Sequence, residues 1–131
     1  MFNKVTKSVR ILSAAGVEEA GSGHPGMPLG MADVGTVLYK KFLKVSNENP
    51  SWINRDRFIL SPGHGSMLLY SLLHLNGFDI SIEDLKNFRQ LKSKTPGHPE
   101  LDTSLGIDMT TGPLGQGFST GVGFALAERY L

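Results

Sequence analysis

The stretch Arg57-Phe58-Ile59-Leu60-Ser61-Pro62-Gly63-His64-Gly65-Ser66-Met67-Leu68 passes from three apolar residues, through a Pro-Gly stop, into a second apolar segment. A short apolar run ended by a turn reads as a buried strand, Phe58 to Leu60. Residues 65–76, GSMLLYSLLHLN, read as a buried helix that Gly77 closes. Strand, turn and helix in that order are the unit of an α/β fold. His64 stands in the turn, where open sheets bind ligands and a helix N-terminus offers unpaired N–H groups to an anion.

Upstream, Val5, Val9, Leu12 and Gly16 follow helical spacing, which predicts a helix over 4–20 ending at Gly21. The loop holding His24 comes next. Pro28 is placed to open a second helix, with Met31, Val34, Val37, Leu38 and Phe42 at three- and four-residue steps, fading near Lys44. The polar segment VSNENPSWINRD is a connection. Downstream, Ser81 and Asp84 make a capping box for a helix over 82–90, and 91–110 form an ordered loop with a short strand near Ile107. A Gly/Pro turn then leads into a last helix with Gly117, Gly121 and Ala125 along one side. This order is poor in strands: the fold class is α/β, the opening helices and first strand or strands of a parallel-sheet domain that is incomplete. On that reading the apolar face from Met67 to Leu75 lacks a sheet to cover it, and marginal stability or association follows.

The chain has 131 residues, 40% hydrophobic and 19% charged, enough for one domain with a core. Its net charge is +1 and it has no dense Lys/Arg run, so composition supports neither a nucleic-acid footprint nor a polybasic membrane anchor. Small molecules or proteins are the expected partners. The absence of cysteine excludes a disulfide framework, a Cys-based metal site and a thiol nucleophile. No apolar stretch approaches a bilayer span, and MFNKVTKSVR lacks the apolar middle region of a secretory signal, which reads as cytoplasmic.

Three of the four histidines share one frame: Gly23-His24-Pro25, Gly63-His64-Gly65 and Gly97-His98-Pro99. Glycine before each removes a side chain that blocks approach, and proline after His24 and His98 restricts the histidine backbone toward extended conformations. A single loop histidine is ordinarily solvated or structural; three framed alike suggest donors held toward a pocket. His74, in Leu72-Leu73-His74-Leu75, has neither feature and reads as a half-buried helix residue with one satisfied nitrogen. The run Gly112-Pro113-Leu114-Gly115-Gln116-Gly117 matches neither nucleotide-binding glycine motif. It suits equally a turn that lets backbone touch a ligand and one needed for tight helix packing. The histidines show no i, i+4 spacing and no paired carboxylate, so a histidine-metal hydrolase is the weakest of the readings.

Taken together, Ser22-Gly23-His24-Pro25-Gly26 with Pro28-Leu29-Gly30-Met31-Ala32, Asp56-Arg57-Phe58-Ile59-Leu60-Ser61 leading to Gly63-His64, Thr95-Pro96-Gly97-His98-Pro99-Glu100, and Thr111-Gly112-Pro113-Leu114-Gly115-Gln116-Gly117 resemble the opening part of the transketolase family. Four motifs in register span essentially all of residues 1–131. The resemblance implies a thiamine diphosphate enzyme that moves a two-carbon ketol unit from a ketose phosphate to an aldose phosphate, with magnesium or another divalent cation, as a homodimer. It places His24 beside the substrate, His98 toward a donor-sugar hydroxyl, His64 on the cofactor diphosphate, and the backbone of Gly112, Pro113 and Leu114 along the cofactor. The family's Gly-Asp-Gly segment, its downstream Asn and its second domain with the activating glutamate do not occur in these residues, so the isolated chain is expected to be inactive, and a second chain carrying the missing domains is the alternative partner to a homodimer. A non-catalytic sugar-phosphate-binding or regulatory module is the alternative, and an enzyme acting on dihydroxyacetone shares much of the pattern.

Overall fold

The computed structural model describes residues 2–131, and five helices organise them. α1 spans Phe2–Ala20 and stops where Gly21 turns left-handed at φ 58°. It buries Thr6, Val9, Ser13 and Gly16: Val9 and Gly16 belong to the expected stripe, and the small polar Thr6 and Ser13 join them while Val5 and Leu12 are half-buried. α2 spans Gly26–Val37 and runs on into one π-helical turn, Leu38–Phe42. Pro28 is its third residue rather than its first; an N–H at that depth still lies within the first turn and has no intrahelical partner to lose.

α3, Ser66–Leu75, is the centre of the molecule. Every residue from Ser66 to Leu73 is buried, enclosed by α1, α2 and the short α4, Ile82–Lys86. Burying each of Leu68, Leu69, Leu72 and Leu73 contributes roughly 1.5–3 kcal/mol. Two glycines set how close its neighbours come. A Cβ on Gly16 of α1 would lie 2.5 Å from Met67 Cε, and one on Gly35 of α2 would lie 2.7 Å from Leu72 Cδ1. Buried Ser13 satisfies its hydroxyl against the Met67 carbonyl and the Ser71 hydroxyl, both at 3.3 Å. The expectation that Met67 to Leu75 lacks cover is therefore corrected: helices supply it.

The uncovered element is α5, Gln116–Tyr130, which buries only Gly117. Phe118, Val122, Phe124, Leu126 and Tyr130 along it are exposed. Gly117 meets Ser61, where a Cβ would stand 2.5 Å from the Ser61 Cα, so the small side of α5 does allow a close neighbour.

The expected sheet is not seen in these residues. Among the described residues no strand forms, and Phe58 to Leu60 carry no ladder, because a strand needs a partner backbone to pair with. Asp108 anchors this segment, accepting from the Phe58 N–H at 3.2 Å and pairing with Arg55 in an ion pair that is almost fully buried. The Tyr39 and Phe58 rings lie 5.3 Å apart beneath it. Burial, with the charge of Asp108 adding to it, pushes the Tyr39 phenol far above its ordinary range. The expected strand near Ile107 is a single antiparallel bridge to Asp102. The helix expected over 82–90 does start with the Ser81–Asp84 capping box, but it ends at Lys86, and Arg89 is left-handed at φ 62°. Among the described residues no helix is long and apolar enough to cross a membrane.

Candidate functional site

Three loops meet at one end of the helical core, and each carries one of the glycine-framed histidines. His24 lies between α1 and α2, on a backbone that Gly23 takes to φ 139°. A Cβ at Gly23 would stand 3.0 Å from Phe88 Cε1 and Val17 Cγ2, so the loop lies directly on the core. His64 sits in the 3-10 turn Gly63–Gly65 that opens α3. Its ring and that of His24 are 5.1 Å apart, edge to face at 69°. Here the glycine frame is a packing necessity: a Cβ on Gly65 would lie 2.5 Å from Met27 Sδ, and one on Gly63 would lie 2.8 Å from the Thr111 carbonyl carbon.

The third loop is fastened to α3 by hydrogen bonds. The Ser66 hydroxyl donates to the Gly97 carbonyl at 2.9 Å, and Tyr70 donates to the Pro96 carbonyl at 2.8 Å. Burial, reinforced by the Glu100 charge and partly offset by a hydrogen bond with Ser66, pushes the Tyr70 phenol well above its ordinary range, so it remains a donor. The Thr111 N–H bonds the Pro99 carbonyl at 3.2 Å, which brings Gly112 alongside His98: a Cβ there would fall 3.8 Å from the ring. His24 thus lies against His64 and His98 against Gly112, and the contact of Gly63 with Thr111 joins the loops that carry the two pairs. Pro113 and Leu114 follow Gly112 as exposed backbone leading to α5. His74 lies elsewhere, half-buried on α3 with Nδ1 2.8 Å from the Ile80 carbonyl, as its lack of a glycine frame suggested.

Beside His98 opens a cavity of about 780 Å³, bounded by Arg89, Lys92, Pro96, Glu100 and Thr111 among others. Arg89 is the residue that sequence reading missed. Its Nη1 donates to the Ser22 hydroxyl at 2.7 Å, and nothing in Phe88-Arg89-Gln90 signals that a helix pattern breaks there. Thr111 was also overlooked as an individual side chain; its Oγ1 is buried without a partner, against Gly63.

These residues suit an anionic cofactor with a diphosphate. The N–H groups of Gly112, Leu114 and Gly115 find no acceptor among the described residues, and the absence of side chains at Gly112 and Gly115 leaves that backbone open. His64 stands half-buried at the N-terminal end of the ten-residue α3, the end that favours negative charge. Among the described residues no three His, Asp or Glu side chains are grouped as a metal would need.

Comparison with known proteins gives concordant results. The family model described as "Transketolase, thiamine diphosphate binding domain" matches residues 2–131. The transketolase of Buchnera aphidicola subsp. Schizaphis graminum is 62% identical over 128 residues, covering 98% of this chain and 19% of that protein. The transketolase of Bacillus subtilis is 61% identical with the same coverage. Among solved structures, transketolase from Campylobacter jejuni superposes with a TM-score of 0.92 at 57% identity, over 96% of this chain and 20% of that one. Pichia stipitis transketolase in complex with sedoheptulose 7-phosphate superposes with a TM-score of 0.92 at 52% identity, over 96% and 18% of the two chains. The chain spans about one fifth of the length of the curated relatives it matches.

Proposed function

The chain belongs to the transketolase family, within its thiamine diphosphate-binding domain, and from that premise we propose that it serves a thiamine diphosphate-dependent transfer of a two-carbon ketol unit from a ketose phosphate to an aldose phosphate. The observation that carries this reading is the pairing of His24 with His64 and of His98 with Gly112 on loops that touch through Gly63 and Thr111. A relative solved with sedoheptulose 7-phosphate supports a sugar phosphate as the substrate class.

Thiamine diphosphate, when bound, supplies the electron sink for breaking the carbon–carbon bond next to the ketose carbonyl. His64 would hold its diphosphate, the imidazole donating, and the backbone of Gly112, Pro113 and Leu114 would line the cofactor, the free N–H groups of Gly112 and Leu114 adding oriented dipoles. His24, in edge contact with His64, donates to the substrate oxygen on which negative charge develops. Such a donor lowers a barrier only if it is already in place, and this gives the stiff Gly-His-Pro loop its purpose. His98 donates to a hydroxyl of the donor sugar and so orients the bond to be cleaved. Proline after His24 and His98 keeps both residues from relaxing into helical backbone.

Magnesium or another divalent cation, held by residues other than these, completes the diphosphate site. Residues 1–131 are the opening portion of the diphosphate-binding domain, and Phe58 to Leu60 are the first strand of its parallel sheet. The working protein is a cytoplasmic homodimer in sugar-phosphate metabolism, and the 131 residues alone are inactive.

The test is a coupled ketol-transfer assay on the complete protein with a ketose phosphate donor and an aldose phosphate acceptor. Turnover should require thiamine diphosphate and disappear on chelation of divalent cations. Sugar-phosphate binding that is indifferent to both, without turnover, overturns the proposal in favour of a non-catalytic binding module.

A further inference from the structure

We propose that Arg89 is a positioning residue for both Gly-His-Pro loops, its guanidinium tying the loop of His24 to the loop of His98. On one side Nη1 donates to the Ser22 hydroxyl at 2.7 Å, two residues before His24. On the other side Gly97, immediately before His98, lies against the guanidinium. A Cβ at Gly97 would stand 3.0 Å from Nε, 3.2 Å from Cζ and 3.3 Å from Nη2. The preceding residue repeats half of this arrangement, since Phe88 packs beneath Gly23 with the Arg89 guanidinium 5.6 Å from its ring centroid. One dipeptide therefore touches the glycine before each of the two histidines.

The backbone shows that the arrangement is built in. Arg89 sits at φ 62°, a conformation that costs a side-chain-bearing residue about 1 kcal/mol or more. Its N–H closes the 89–95 loop on the Thr95 carbonyl at 3.0 Å. Nε is buried without an acceptor, so the side chain is also under-satisfied where it lies. A residue kept at a left-handed position with an unpaired buried donor needs a compensating role, and bridging two loops gives one. A planar guanidinium can bond Ser22 with one nitrogen while presenting a flat face to Gly97; an ammonium cannot.

The kinetic part of the test rests on the ketol-transfer reading, whereas the structural part does not. In the complete protein, Arg89→Gly removes the side chain while suiting the left-handed backbone, so the turn itself survives. Amide hydrogen exchange read by mass spectrometry should rise about tenfold in both 21–27 and 95–99, with 66–75 unchanged. Ser22→Ala should loosen 21–27 alone. The kcat of Arg89→Gly should fall by about one to two orders of magnitude with KM changed far less, as expected for misplaced donors. Arg89→Lys should recover little of it. Loosening of one loop or neither, or full recovery by lysine, overturns the proposal. If the parent protein shows no ketol transfer, the functional reading fails while the exchange data still decide the bridge.

Discussion

The Ser66 hydroxyl donates to the Gly97 carbonyl at 2.9 Å, so the first residue of α3 holds the residue directly before His98. His64 and His98 are thereby fixed relative to one another through a single bond between the two loops' anchors. Ser66→Ala leaves a largely buried carbonyl without its donor and should cost about 1–2 kcal/mol in denaturant unfolding. In the complete protein kcat/KM should fall with it, while Ser71→Ala, farther along α3, should spare kcat/KM.

Two glycines predict opposite outcomes for the same change. At Gly63 a new methyl would sit 2.6 to 2.9 Å from three Thr111 atoms, two of them backbone, and neither segment can yield without moving His64. Gly63→Ala should cost about 1–3 kcal/mol. At Gly30 nothing lies within 4 Å and the residue is inside α2, so Gly30→Ala should raise stability by about 0.5–1 kcal/mol. Thermal melts of the two variants beside the parent check both signs.

The Arg55–Asp108 pair holds the extended 56–60 segment against the 107–111 loop from a nearly solvent-free position. Arg55→Met strands an uncompensated carboxylate there and should cost about 3–5 kcal/mol. Arg55→Met combined with Asp108→Leu should recover most of that loss, and the double-mutant cycle in urea measures the recovery.

Asp84 gives a pH signature. Burial acts to raise its pKa, but the Ser81 hydroxyl and N–H together with the Lys94 charge outweigh it and hold the carboxyl below the ordinary range. A depressed folded-state pKa contributes stability above the unfolded value, about 3.9, and loses it as pH falls through the folded one. The stability gap between the parent and Asp84→Asn should therefore be constant from pH 5 to 8 and close in more acid solution. A gap that widens on acidification contradicts this.

The helices were legible wherever local chemistry decides them. Gly21 and Gly77 stop α1 and α3 as spacing predicted, both left-handed, and Ser81 with Asp84 forms the predicted box. The strand expected at Phe58 to Leu60 does not form among the described residues, because pairing depends on a neighbouring backbone that no local pattern supplies. The glycine frames singled out three histidines, and the structure sets two of them, His24 and His64, in ring contact. Arg89 was not legible: its role depends on backbone at φ 62° and on Ser22, distant in sequence, and neither leaves a local trace. Ser13 of α1 escaped notice for a related reason, since it is buried by pairing with Ser71 rather than by being apolar.

In residues 2–131 taken alone, α5 gives only Gly117 to the interior, and the cooperative unit of that segment is α1 to α4 with the loops they carry. α1 and α2 are joined by the short loop 21–25 and pack on one another, so the transition state for this region should contain this pair before α3 docks. Docking of α5 then comes late in folding and first to be lost in unfolding. Its amides should exchange at rates near those of an isolated helix, while those of α3 exchange only when the whole unit opens.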